Sequence, residues 1–521
     1  MKNTGRVFAI FFLFLFARTQ AQTFQAAFGD TSSDQAASVI ATSDGGYILC
    51  GYKTDPANNR DAYLVKTNAN GALQWSKTYF GSNADQAYDV MQLGGGSYVW
   101  AGYTQSFGAG GTDACLVKTD ASGNVLWAKA YGGAINEGVY GMVRCSDGGF
   151  ALAGSTGTYG AGGGDAYLIR TDSSGNMLWN GVYGGANLDL AYGISQTSDG
   201  GFILAGVTFS FGAGSYDVYV LRVSAGGTLL WSKTYGGSNV EFGYKVKQTI
   251  DGGFIIAATT ESFGAGLSDA YLLKTDSLGT LLWSKTYGSF DFDESLSIGL
   301  TNDGGYILSG DANSYSGSFD ALMIKTDTSG VPLWSRIYGG VADESLNAAF
   351  QTSDGGYGAA GFTRSYGAGN YDMFVLKTEP GGQGWCGDSL VTLVSAPAPS
   401  ITTAPLTLSD TGGIQSSIVF NIGGGTTSTL VCSSGADVHE NTATQSFISV
   451  APNPSGGNFV LHSAENIRYL EVRNLLGEIV LGMNVNNTSA NIGMESCKSG
   501  IYFYSAQMEN GTRVSGKLVV Q

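Results

Sequence analysis

Apolar residues in this chain come in short runs, each closed by turn-forming residues. Between positions 139 and 183 the runs are Val139–Val143, Phe150–Gly154, Ala166–Thr171 and Met177–Tyr183. The breaks are Ser146-Asp147-Gly148-Gly149, the loop Tyr159-Gly160-Ala161-Gly162, and Asp172-Ser173-Ser174-Gly175. Runs of this length with Gly, Asp and Ser between them predict β-strands joined by tight turns. Only Gly184-Gly185-Ala186-Asn187 separates the fourth run from the next unit. The pattern therefore predicts an antiparallel meander of four strands.

The unit recurs. The phrase DACLVKTDASGNVLWAKAY, from Asp113 to Tyr131, has counterparts starting at Asp61, Asp165, Asp217, Asp269, Asp320 and Asp372. Trp75, Trp127, Trp179, Trp231 and Trp283 are 52 residues apart, and Trp334 and Trp385 follow at 51. Runs such as Tyr271-Leu272-Leu273 are apolar on both faces, so both faces need cover. Seven four-stranded sheets set radially, each packing on its neighbours, supply it. The alternative is a solenoid. Four strands per unit and the 52-residue spacing favour the all-β, seven-bladed β-propeller of four-stranded antiparallel blades.

Composition narrows the rest. The chain has 521 residues, with 80 glycines and only 13% charged residues, which suits many short strands and turns. Net charge is −16, a balance that disfavours nucleic acid and anionic membrane surfaces as partners. Lys2 and Arg6, the apolar run Val7–Phe16 and Thr19-Gln20-Ala21 together read as a secretory signal peptide over 1–21. No later run is long enough to predict a transmembrane segment. Cys50, Cys115 and Cys145 fall at or beside strand positions and read as buried thiols. Cys386 and Cys432 flank a non-repetitive segment and are the candidate disulfide.

The pattern KTYGG…E…DGG(F/Y)ILAG…DAYLVKTD…GN.LW resembles the bacterial seven-bladed propeller repeat of exported proteins, over residues 23–386. Such propellers host many functions. Aligning Thr23–Gly29 with Trp75–Gly81 makes the N-terminal segment a fourth strand, which is expected to complete the seventh blade.

Two sets of acids recur. Asp85, Glu137, Asp189, Glu241, Asp293 and Glu344 each lie ten residues after a tryptophan, with Asp34 near the equivalent place. At the start of each innermost strand they would ring a channel mouth. They are candidate ligand-binding residues for a cation or polar ligand, or else acceptors for hydrogen bonds from the adjoining loop. Recurrence in nearly every unit weighs toward the loop. The second set, Asp61, Asp113, Asp165, Asp217, Asp269, Asp320 and Asp372, starts each third strand. Asp44, Asp147, Asp199, Asp251, Asp303 and Asp354 belong to Asp-Gly-Gly turns, with Gly95 in the second unit. Loops such as Phe211-Gly212-Ala213-Gly214 precede no helix and read as connections. The two histidines, His439 and His462, lie outside the repeats, so no Ser-His-Asp set can form within them. No catalytic residue is nominated, and no motif calls for a cofactor or metal.

After residue 386 the period stops. Residues 387–445 are rich in Ser, Thr and Pro and read as a linker containing Ala396-Pro397-Ala398-Pro399. A small β-sandwich is expected over 446–521. There, Ala451-Pro452-Asn453-Pro454-Ser455-Gly456, Leu470–Val480, Ser499-Gly500-Ile501-Tyr502-Phe503 and Gly516-Lys517-Leu518-Val519-Val520 resemble the C-terminal sorting domain of type IX secretion substrates. That resemblance implies type IX secretion machinery as a partner and a secreted or cell-surface location. The expected role is a binding or adhesion module for a glycan or protein ligand. The alternative is a carbohydrate-active hydrolase or lyase using channel carboxylates.

Overall fold

The computed structural model describes residues 23–313 and 318–384. Beyond them it describes 388–390, 394–396, 401–402, 414–417, 421–423, 427–433, 448–451, 458–474, 479–495, 497–509 and 513–520. The expected signal peptide and Cys386 lie outside the described residues, and with Cys386 the expected disulfide. The chain divides into two units, Met1–Gly435 and Ala436–Gln521.

The first unit contains seven four-stranded antiparallel blades in chain order. Blade 1 is Asp34–Ala41, Tyr47–Thr54, Arg60–Thr67 and Leu73–Phe80, and blade 3 is Glu137–Arg144, Phe150–Thr156, Asp165–Thr171 and Met177–Tyr183. The second and third strands are buried almost throughout, as their unbroken apolar runs require. Burial is achieved between sheets rather than within one. One cluster joins Ile48, Cys50 and Leu64 of blade 1 to Val90, Trp100 and Val117 of blade 2. Equivalent clusters follow at each junction, and one joins Met373 and Val375 of blade 7 to Val39, Tyr47 and Tyr63 of blade 1. Cys50, Cys115 and Cys145 are buried free thiols in these clusters.

The recurring Trp and Tyr of each fourth strand are inter-blade clamps. The Tyr131 hydroxyl donates to the Gly175 carbonyl in the next blade's turn at 2.6 Å. Trp127 lies against the same Gly175, whose φ of +76° suits only glycine. The Tyr79–Gly123 and Tyr235–Gly279 pairs repeat the arrangement.

The N-terminal strand Phe24–Gly29 pairs antiparallel with Asp372–Thr378 as the fourth strand of blade 7. Its register is one residue off the alignment with Trp75–Gly81. Phe24 faces Lys377 as Trp75 faces Lys66, so Phe24, not Thr23, takes the tryptophan position. The cause is the first unit's length: Asp34 and Asp85 are 51 residues apart, not 52.

The stretch expected as a linker is built differently. Its short strands add a fifth strand to six blades. Asp388–Leu390 pairs with blade 6, Val394–Ala396 with blade 5, and Ile401–Thr402 with blade 4. Ile414–Ser417 then pairs with blade 2, Asn421–Gly423 with blade 1, and Thr427–Ser433 with the N-terminal strand in blade 7. The segment is a belt that runs past the blades in reverse order. Each outermost strand presents unpaired N–H and C=O groups, and the belt satisfies part of that edge. A Ser/Thr-rich composition hides this role, because backbone pairing at an edge demands no apolar face.

The second unit is a small antiparallel β-unit. The long strand Asn458–Arg473 pairs first with Ile448–Ala451 and then with Gly500–Met508, while Ile479–Gly493 runs along its other edge. Arg513–Val520 pairs with Gly500–Met508. Phe459, Leu461, Leu470, Ile492, Ala506 and Leu518 share one core. No helix among the described residues is long and apolar enough to cross a membrane.

Candidate functional site

The seven acids at the starts of the first strands are 0–1% exposed. In every blade the carboxylate accepts the backbone N–H of the residue four positions earlier, at 2.6–3.0 Å: Asp34, Asp85, Glu137, Asp189, Glu241, Asp293 and Glu344. Glu137 also accepts the Thr156 hydroxyl at 2.8 Å and the Thr158 N–H at 3.1 Å. Asp85, Asp189, Glu241 and Glu344 make corresponding bonds, so in these five blades the carboxylate ties the inter-blade turn to its own blade's second loop.

The acids that start the third strands do related work. Asp113 accepts the Ala109 and Gly110 N–H groups of its glycine-rich loop at 3.1 and 3.2 Å. It faces Glu137 across Gly132. Burial, then the neighbouring Asp189, pushes the Asp165 carboxyl up to about 6. Burial likewise holds Asp34 and Asp61 at about 7. The Asp-Gly-Gly acids pair with third-strand cations: Lys66–Asp44 and Lys325–Asp303 at 2.8 Å, and Arg222–Asp199 at 2.5 Å. Among the described residues no group of three or more His, Cys, Asp or Glu could hold a metal.

The chemistry unused by the scaffold sits three residues after each first-strand acid. In all seven first strands the pairing register skips at this position. The skipped residues are Ala37, Tyr88, Tyr140, Tyr192, Tyr244, Leu296 and Asn347. A β-bulge of this kind re-aims one side chain. In six blades the opposed second strand carries the glycine of the ILAG phrase, because the bulged strand comes too close for a side chain; in blade 5 Ala258 stands there, opposite Gly243. At Gly154 an added Cβ would lie 1.8 Å from the Gly138 carbonyl oxygen.

All seven bulge residues line one cavity of about 460 Å³. Four consecutive blades give tyrosine, and the remaining three give Ala37, Leu296 and Asn347, whose smaller side chains leave the space open. Gln35, Ala36, Tyr52, Gln86 and Lys245 complete the lining. The tyrosines form part of a continuous aromatic track. It runs Tyr103, Tyr88, Tyr140, Tyr192, Tyr244, Phe242, Tyr216, Phe209, with successive ring centroids 5.0–6.3 Å apart. Burial pushes the phenol of Tyr192 up to about 12 and those of Tyr88 and Tyr244 higher, so all three stay protonated near neutral pH. Sequence reasoning stopped at the recurring acids and missed this track. The available signal was the tyrosine that recurs three residues after the acid in four consecutive units.

Residues 449–521 match the family of secretion system C-terminal sorting domains. The chain therefore carries a type IX sorting tail behind a seven-bladed propeller. That tail indicates export to the medium or the cell surface and contact with the secretion machinery. Among curated proteins, none matches the chain. Similar solved structures include Sqt1 from Chaetomium thermophilum, at 13% identity over 64% of this chain and 81% of that one, with a TM-score of 0.39. PorZ, a surface component of the type IX secretion system of Porphyromonas gingivalis, is 9% identical over 93% of this chain and 81% of that one, at 0.20. An endo-1,5-α-L-arabinanase from Thermotoga petrophila is 10% identical over 67% and 99%, at 0.22. At such TM-scores these likenesses decide nothing; the strand pairing carries the fold.

Proposed function

We propose that the protein is an exported binding module that holds a glycan chain on the channel-side aromatic track. The observation that carries this reading is the unbroken row of eight rings from Tyr103 to Phe209. Aromatic faces take up the C–H faces of sugar rings, and phenol and amide groups satisfy the hydroxyls around them. Successive rings spaced like stepping stones suit a polymer better than a single small molecule. Export by a sorting tail agrees with a ligand met outside the cell.

One observation favours the hydrolase reading instead. Glu294 and Asp311 face each other across the first two strands of blade 6, close to Tyr244. The equivalent pairs elsewhere, such as Gln35–Tyr52 and Leu190–Val207, hold no two acids. Burial pushes both carboxyls up, Asp311 to about 7.

A glycan array with the full secreted chain tests the proposal, repeated with Tyr140→Ala and Tyr192→Ala. The expected result is saccharide binding that falls at least roughly tenfold in each variant, the loss of one stacked aromatic contact. Binding that ignores both substitutions would remove the track from the site. New reducing ends, lost in Glu294→Gln, would shift the assignment to hydrolysis.

A further inference from the structure

We infer that the saccharide held on the aromatic track is anionic, carrying uronic carboxylates or sulfate esters, and that Arg60 and Lys245 read its charge. This rests on the glycan reading above and adds the ligand's chemical class.

The two cations flank the tyrosine row. Arg60 stacks over the Tyr52 ring at 4.5 Å, and its charge acts on Tyr103, at one end of the row. Lys245 follows Tyr244 in sequence, at the other end, and lines the cavity. Both break the repeat. The residue just before the third-strand acid is Thr112, Gly164, Tyr216, Ser268, Phe319 or Tyr371 in the other units, and only blade 1 places a cation there. It does so because the short loop Asp55–Asn59 replaces the glycine-rich loop. At the Lys245 position the other blades have Ser38, Asp89, Gly141, Gly193, Ser297 and Ala348.

Neither cation belongs to an ion pair among the described residues. That sets them apart from the buried scaffold cations, which the Asp-Gly-Gly acids neutralise blade after blade. Lys245 lines the cavity and Arg60 sits on the Tyr52 ring that lines it, and a cation so placed without a protein counter-ion is a site for an anion. The acid on the facing first strand, Asp89, is already engaged. It accepts the Ser38 hydroxyl at 3.0 Å, the Met142 N–H at 3.0 Å and the Val90 N–H at 2.9 Å. Glu294 and Asp311, beside Tyr244, hold their protons more tightly than free carboxylates because they are buried.

Isothermal titration of the full chain tests this with four probes: tetragalacturonate, its methyl ester, a sulfated galactose tetrasaccharide and the neutral galactose tetrasaccharide. The expected result is that the uronate or the sulfated probe binds at least roughly tenfold tighter than its neutral counterpart, the scale of one charge-assisted hydrogen bond. Which of the two wins names the source of the charge. Lys245→Met and Arg60→Gln should each shrink that preference, and Lys245→Arg should keep it. Each variant is compared at an unchanged thermal midpoint, with Lys245→Gln standing in should Lys245→Met unfold. Equal binding of charged and neutral probes, with Tyr140→Ala still weakening both, would overturn the charge inference and leave the glycan reading standing. A preference that survives both Lys245→Met and Arg60→Gln would also overturn it. Binding of none of the four would count against the glycan reading itself.

Discussion

One aromatic ring fills a central place in the junction between blades 7 and 1, and its contribution can be measured. Phe24 is fully buried. It takes the place a tryptophan holds in other blades, lies against the turn at Gly71, and meets the Tyr47 ring edge-on at 5.5 Å. Phe24→Ala removes that filling from a strand with no covalent link to the rest of blade 7. Buried Phe→Ala changes cost about 3–5 kcal/mol. Burying a ring of this size, roughly 150–200 Å² at about 25 cal/mol per Å², gives about 4 kcal/mol by a separate route. The assay is guanidinium unfolding of the full chain, read by fluorescence and near-ultraviolet circular dichroism, with Leu230→Ala as a control. Leu230 is 49% exposed, so its loss should change stability by no more than about 0.5 kcal/mol. Hydrogen exchange adds a local readout, because the loss should appear first as faster exchange in residues 24–29 and in blade 1. If Phe24→Ala unfolds within about 1 kcal/mol of Leu230→Ala, Phe24 is not the closing clamp and the inter-blade account fails there.

Two further outcomes follow from the scaffold. The buried acids Asp34 and Asp61, at about 7, and Asp165, at about 6, bind protons more tightly folded than unfolded. Their contribution to stability is therefore complete below the ordinary carboxyl range and is lost as pH rises through about 6–7. The thermal midpoint should fall between pH 5 and pH 8, and Asp165→Asn should flatten part of that slope; a midpoint that rises with pH would contradict the assignment. A chain ending at residue 384 should melt lower and aggregate sooner than one ending at residue 435, since it leaves the outer edges of six blades uncovered. Equal behaviour of the two chains would mean that the belt adds nothing.

The repeated positions were legible in the sequence because every blade solves the same local problem. Apolar runs must be covered on both faces, Asp-Gly-Gly and Asp-x-x-Gly must turn, Trp and Tyr must clamp the neighbour, and one acid must hold each inter-blade loop. These demands are local, so they recur at fixed spacing and mark the strands, the blade number and the fourth-strand role of the N-terminus. The sorting tail was legible for the same reason, in short phrases each set by its own turn or strand.

Only the tertiary structure decided the rest. The one-residue register at Phe24 followed from pairing with Asp372–Thr378, far away in sequence. The belt was invisible because edge pairing uses the backbone, which composition does not report. The aromatic track joins Tyr88, Tyr140, Tyr192 and Tyr244, which recur 52 residues apart, each three after its blade's acid. Their convergence on one cavity, with Phe242, Tyr216 and Phe209 in line, is a product of the bulge and the blade packing. A propeller brings equivalent positions of different blades together around its axis. Scaffold roles therefore appear as what the repeats share, and the candidate binding chemistry as the few positions where they differ.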